Sequence, residues 1–295
     1  MSVAIEVDKV FKVYPRAWHR PPKQALTDIS FHVDAGETFG FIGQNGAGKS
    51  TLIKILVGVL HPTRGEVRVF DCTTDQPESR RHLGFVPENP SLPDHLTPLE
   101  ILTMAMRLHR IELPDVGAHC RYWLERFDLA AVSDTPLRGF SKGMLQRTAL
   151  AHALVVKPRL LILDEPLSGL DPVGRKDVVD ILDEFKRGGG TLFFSSHVLY
   201  DVERIADRFG LIHEGKLLTI RSPADIVAGQ SGRYRLRYRH PGTAQGLELE
   251  VSAQALATEI GRLLADGCLI QEVKPRLSLE SVFFNAIAGD QSQLT

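Results

Sequence analysis

The chain has 295 residues, 43% hydrophobic and 24% charged, with a formal net charge of −1. That length suits one large or two ordinary globular domains. No long basic block is present, which argues against a nucleic-acid partner. No run of about 18 apolar residues occurs, so no segment is expected to cross a bilayer.

Met1 to Val13 alternates apolar and charged residues and lacks the apolar core of a signal peptide. The expectation is a product that is soluble or held at a membrane through a partner. Cys72, Cys120 and Cys268 are scattered and form no C-x-x-C pair, which favours a reducing compartment and buried or inert thiols.

Residues 3–14 alternate (Val3, Ile5, Val7, then Val10, Phe11, Val13) and predict one or two strands. A proline-rich basic stretch, Pro15 to Lys23, follows. Residues 28–33 alternate again, and Asp34-Ala35-Gly36-Glu37 is a turn. Thr38 to Ile42 is a short apolar strand running into Gly43-Gln44-Asn45-Gly46-Ala47-Gly48-Lys49-Ser50-Thr51. Lys49 to Leu60 predicts a helix stopped by His61-Pro62, and Arg64 to Phe70 another strand.

Residues 97–157 read as helical. Thr97-Pro98-Leu99-Glu100 combines an N-cap, a first-turn proline and a capping-box glutamate. Leu99, Leu102, Met106 and Ile111 form a loose apolar face. A second helix is expected near 118–129, and a third between Ser141 and Pro158. From 160 strands and helices alternate: Leu160–Leu163, a helix near 173–187, then Thr191–Ser195, the rhythm of a parallel α/β sheet. Short strands at 209–213 and 217–220 follow, and Ser222-Pro223 starts a short helix.

The pattern changes near Gln230. Residues 233–239 (RYRLRYR) alternate strictly, 247–251 form a pairing strand, and 253–265 and 277–288 predict amphipathic helices. Two readings of the arginine strand stay open. Either Arg233, Arg235, Arg237 and Arg239 are a solvated face over buried Tyr234, Leu236 and Tyr238, or they meet anionic headgroups or an acidic partner surface.

Residues 43–51 fit the phosphate-binding pattern G-x-x-x-x-G-K-[ST]. Glycines let backbone N–H groups converge on an anion, and the following helix start adds its positive end. Lys49 supplies a charge for the β- and γ-phosphates, and Ser50 a hydroxyl for Mg²⁺. Leu160-Leu161-Ile162-Leu163-Asp164-Glu165 is an apolar strand ending in two carboxylates, at the end where parallel sheets bind ligands. Asp164 is expected to hold Mg²⁺ and Glu165 to accept a proton from the attacking water.

Three further segments complete a set: Gly139 to Arg147 (GFSKGMLQR), Ser168-Gly169-Leu170-Asp171, and Ser195-Ser196-His197. With the glycine loop and the acidic strand, they resemble the nucleotide-binding subunit of an ATP-binding-cassette (ABC) transporter over about residues 3–225. The resemblance implies an α/β phosphate-loop NTPase core with an antiparallel β subdomain and a helical subdomain (about 89–157) within residues 1–230. Residues 231–295 are expected to form a small α+β accessory domain.

It also implies that Ser141 and Gly143 bind the γ-phosphate held by the loop of a second copy, so that ATP sits at a homodimer interface. His197 would contact the γ-phosphate, Asp171 would communicate across the dimer, and Tyr14, with Trp18 as the rival, would stack on adenine. Gly43 to Thr51 would enclose the phosphates of ATP, and Ser50, Asp164 and Glu88 would serve Mg²⁺.

Two departures from the family pattern stand out. Lys142 replaces a glycine of the signature, and Glu88 replaces a glutamine. Val86-Pro87-Glu88, Ser141 to Met144, and Leu279 to Phe284 are similar to the ABC-2 exporter group. That resemblance implies transport-coupled ATP hydrolysis, a separate ABC-2 type membrane permease, and a place at the cytoplasmic face of the cell membrane. A soluble ABC ATPase of translation or repair fits less well, because there is one cassette and no long coiled-coil insertion. A phosphate-loop kinase would lack Ser141 to Met144 and His197.

Overall fold

A computed structural model describes residues 2–15, 22–223, 233–241, 243 and 246–275. The chain divides into two compact units, Met1–Ile220 and Arg221–Thr295. Trp18, the segment 277–288 and the helix expected after Ser222-Pro223 lie outside the described residues.

The first unit holds two sheets. β1 (Val3–Tyr14), β2 (Lys23–Asp34), β4 (Arg64–Val69) and β5 (Cys72–Thr73) form an antiparallel sheet in the order β2-β1-β4-β5. The second sheet has six strands in the order β10-β9-β3-β8-β7-β6. Its members are β3 (Thr38–Ile42), β6 (Leu83–Val86), β7 (Leu160–Asp164), β8 (Thr191–Ser196), β9 (Arg208–His213) and β10 (Lys216–Arg221). The pairings of β3 with β8 and β9, of β6 with β7, and of β7 with β8 are parallel. Continuous apolar strands are what a sheet covered on both faces requires, and β3, β7 and β8 are buried at every residue.

Aromatic stacking joins the sheets. Phe31 of β2 lies 5.2 Å from Phe39 of β3, and Phe39 lies 5.9 Å from Phe193 of β8, ring centroid to ring centroid. Each such ring pair adds about 0.5–1.5 kcal/mol beyond the area it buries.

Helix α1 (Lys49–Leu56) is shorter than the sequence pattern predicts. The apolar run continues to Leu60, but Gly58 adopts φ 69, and the N–H groups of Val59 and Leu60 both turn back to the Lys54 carbonyl. β2 is longer than predicted, starting at Lys23; the alternation that marks 28–33 is interrupted at Asp28, which takes a left-handed φ of 52 where the register with β1 shifts.

Helices α2 (Pro98–Leu108), α3 (Val116–Arg126) and α4 (Lys142–Val155) form the helical region. The Thr97–Glu100 capping box is present, with both reciprocal bonds made. Leu102, Met106, Cys120 and Leu124 are buried there, while Leu99 and Ile111 of the expected apolar face are half-buried. Burial pushes the Cys120 thiol above its ordinary pKa, as suits an inert group. Cys72 is only half-buried.

Helices α5 (Pro172–Arg187) and α6 (Leu199–Ile205) flank β8 in sequence. Among the described residues no helix is long and apolar enough to cross a membrane.

The second unit is a three-stranded antiparallel sheet, order β12-β11-β13, with one helix. Its elements are β11 (Arg233–Arg239), β12 (Leu247–Ser252), α7 (Ala253–Ala265) and β13 (Leu269–Pro275). Leu236, Val251, Leu263 and Cys268 form its core, with Tyr234 and Tyr238 packed against them. Arg235 and Arg237 are exposed on the other face. Arg235 stands opposite Glu250, and Arg237 stands between Glu248 and Glu272. The Arg235 Nε lies 3.8 Å from Glu248. Arg235 also stands opposite Lys274 on β13, but with Glu248, Glu250 and Glu272 on the flanking strands the face is of mixed sign, which favours the solvated-face reading.

Candidate nucleotide site

The site is set by register. Asp164 of β7 pairs with Ser195 of β8, and Ile42 of β3 with Ser196. Gly43, Glu165 and His197 thus follow the tips of three adjacent parallel strands at one sheet edge, where α/β sheets bind ligands.

The glycine loop closes tightly. Gly46 and Gly48 take φ 85 and 116, and a Cβ on Gly48 would sit 2.8 Å from the Ala25 carbonyl, so only glycine fits there. Lys49, 6% exposed, donates from Nζ to the carbonyls of Gly43 (2.7 Å) and Gln44 (3.4 Å). Its Nζ also lies 3.3 Å from Glu165 Oε1. That contact is an ion pair by distance, but Oε1 has no hydrogen-bond partner.

Glu165 is 7% exposed and has a left-handed φ of 51. For a non-glycine residue this costs of order 1–3 kcal/mol and collects at functional sites. Its N–H donates to Ser195 Oγ (3.0 Å), and Ser195 Oγ donates to Asp164 Oδ1 (2.5 Å). Ser195 thereby fixes both carboxylate residues, a role that the Ser195-Ser196-His197 run did not reveal. His197 Nδ1 lies 2.8 Å from Glu165 Oε2. In the tautomer that bonds a carboxylate oxygen as acceptor, Nδ1 is the donor, which leaves Nε2 free for another partner.

A cleft of about 380 Å³ brings together Tyr14, Gln44 to Gly46, Gly48 to Thr51, Glu88 and Glu165. Lys23 and Ala25 also line it and were not anticipated from the sequence. The Tyr14 hydroxyl lies 3.4 Å from Thr51 Oγ1. Gly43 and Ala47 are buried beneath the loop. Asp164 stands behind it at the tip of β7 with one oxygen taken by Ser195.

The candidate metal ligands Ser50, Asp164 and Glu88 offer only oxygen, the donor type Mg²⁺ prefers. Among the described residues no group of three or more His, Cys, Asp or Glu side chains could hold a metal.

Ser141, Gly143 and Asp171 are not in this cleft. They line another, of about 450 Å³, with Lys142, Arg147 and Gly169. Ser141 is the N-cap of α4 and accepts from the Met144 N–H at 3.3 Å. Asp171 caps α5, accepting from the Gly174 N–H at 3.0 Å, and lies 3.8 Å from Arg147. The aliphatic stem of Lys142 crosses Gly169 (φ 77) so closely that a Cβ there would fall 2.9 Å from Lys142 Cδ. Gln146, within the same segment as Ser141, lies in α4. It is fully buried, and its Nε2 donates to the Pro166 carbonyl beside the acidic strand at 3.1 Å.

Glycine loop, acidic strand tip and strand-end histidine on one parallel sheet define a phosphate-loop nucleotide-binding protein. Known proteins narrow the class. The ABC transporter family model matches residues 26–168. An uncharacterized ABC transporter ATP-binding protein of Synechocystis sp. is 37% identical over 77% of this chain, which spans 65% of that relative's length. An uncharacterized ABC transporter ATP-binding protein of Nostoc sp. is 35% identical over 96% of this chain and 89% of its own. The bacitracin transport ATP-binding protein of Bacillus licheniformis is 34% identical over 79% and 74%. A solved ATP-binding subunit of an ABC transporter superposes with a TM-score of 0.70 at 32% identity, over 77% of this chain and 92% of that one. The chain belongs to the ATP-binding proteins of ABC transporters, a family of ATPases.

Proposed function

We propose that this chain hydrolyses ATP at the interface of two copies of itself and thereby drives export through a separate ABC-2 type membrane permease. On this reading it works at the cytoplasmic face of the membrane, held there by the permease. The observation that carries the hydrolytic part is the setting of Glu165. It is buried and backbone-strained, bonded by His197, and has one oxygen without a hydrogen bond beside the Lys49 loop.

In the proposed mechanism Gly43 to Thr51 wrap the phosphates, and Lys49 exchanges its loop carbonyls for phosphate oxygens. Tyr14 covers the adenine. Ser50, Asp164 and Glu88 would hold Mg²⁺, which when bound offsets the phosphate charge. Glu165 takes a proton from the attacking water while His197 orients the γ-phosphate through Nε2. Ser141 and Gly143 come from the second copy, a division supported by the separate clefts in which the two sets of residues lie. ATP binds the closed pair better than the open one and so shifts the population toward it. Export is supported by the family resemblance of Val86 to Glu88 and Ser141 to Met144, and by likeness to the bacitracin transport protein.

Glu165→Gln tests the chemistry. ATP binding should persist, hydrolysis should fall by roughly 10²–10⁴-fold, and an ATP-bound dimer should accumulate in sedimentation. Full hydrolysis in that variant would refute the assignment.

A further inference from the structure

Behind Glu165 lies a small, partly open cavity of about 130 Å³. Glu165, Ser196 and His197 line it from the strand tips, Arg175 from α5, and Asp201 from α6. Asp201 is 5% exposed, and its ion-pair partner among the described residues is Arg175, whose Nη1 lies 3.6 Å away. Burial pushes its carboxyl above the ordinary range, Arg175 opposes that shift, and the nearby Glu165 adds to it.

A second buried carboxylate beside Glu165 is a poor choice for stability, since buried charges cost free energy unless well paired. Such unfavourable placement gathers at functional sites.

The two partners sit at informative places. Arg175 is one turn into α5, whose cap is Asp171. Asp201 is one turn beyond His197, on a helix whose entry is fixed by the Ser196 hydroxyl, which bonds both the N–H and the carbonyl of Val198. His197 is therefore seated between the end of β8 and a helix anchored to α5.

We propose that Arg175 and Asp201 are positioning residues that tie the Asp171 turn to the seat of His197, so that movement at that turn resets the histidine against Glu165. This rests on the roles given above to His197 and Glu165.

Asp201→Asn keeps the side-chain shape and removes the ion pair. It should lower kcat at least tenfold, misplacement of about 1 Å being worth up to about 10², with KM for ATP changed by less than about threefold and cooperative melting retained. Arg175→Gln should give the same split. In a His197→Ala background, Asp201→Asn should add no further loss, because the two residues act through one element.

Unchanged kcat in both single variants overturns the proposal. So does a loss that keeps its full size without His197, which would mark a merely structural role. Full hydrolysis by His197→Ala itself overturns the histidine assignment, a failure readable separately from that of the brace.

Discussion

Arg235 and Arg237 on β11 are exposed; Arg237 faces Glu248 and Glu272 across both neighbouring strands, and Arg235 faces Glu250 on β12 and Lys274 on β13. Lys49, Asp164, Glu165 and Asp201 are each no more than 7% exposed and crowd around the tips of β3, β7 and β8. The first arrangement lets water and alternating sign do the balancing, and each cross-strand pair is worth about 0.2–1 kcal/mol. The second puts three carboxylates within one buried neighbourhood, with Lys49 and Arg175 as counter-ions. Charge that is cheap to hold marks a surface, and charge held at a cost marks the place where a ligand completes the balance.

That contrast is testable by removing charge from each region. Lys49→Met should destabilise the first unit by about 3 kcal/mol, because it leaves Glu165 buried without its cation. The double change Lys49→Met with Glu165→Gln should recover most of this in urea unfolding. Equal stability of the single and double variants would mean that Glu165 does not depend on Lys49.

Gly48→Ala should cost about 1–3 kcal/mol through its left-handed backbone, read as a lower melting temperature together with lost ATP affinity. Thr97→Ala should cost about 1 kcal/mol, the usual worth of an N-cap, with ATP affinity untouched. At the bottom of the scale, Arg237→Gln should shift stability by no more than about 0.5 kcal/mol. A loss of several kcal/mol there would mean that the β11 charges are structural and the contrast is misdrawn.

Much of the site was legible in the sequence because its residues are contiguous. The glycine loop, the acidic strand tip and the capping box at Thr97 each carry their geometry in a few neighbouring positions. The chain pairing of Arg235 and Arg237 with glutamates was not legible, because it depends on which strands flank β11 and in which register. The same holds for Ser195 bridging Asp164 and Glu165, and for Arg175 meeting Asp201 from a different helix. Nor could periodicity place the end of α1. The run Val57 to Leu60 stays apolar in sequence while Gly58 turns left-handed and Val59 is left 73% exposed, so apolar character outlasts the helix.

The separation of Ser141 and Gly143 from the Lys49 loop leads to the most direct test of the central claim, that one hydrolytic site is built from two copies. Lys49→Ala disables a copy's own loop, and Ser141→Arg disables what it lends to its partner. Each variant alone should be inactive. Mixed in equal amounts, half of the dimers carry one intact loop facing one intact Ser141, so ATPase activity should return to about a quarter of wild type. No recovery on mixing, with dimers of the two variants demonstrated by cross-linking, would contradict a shared site.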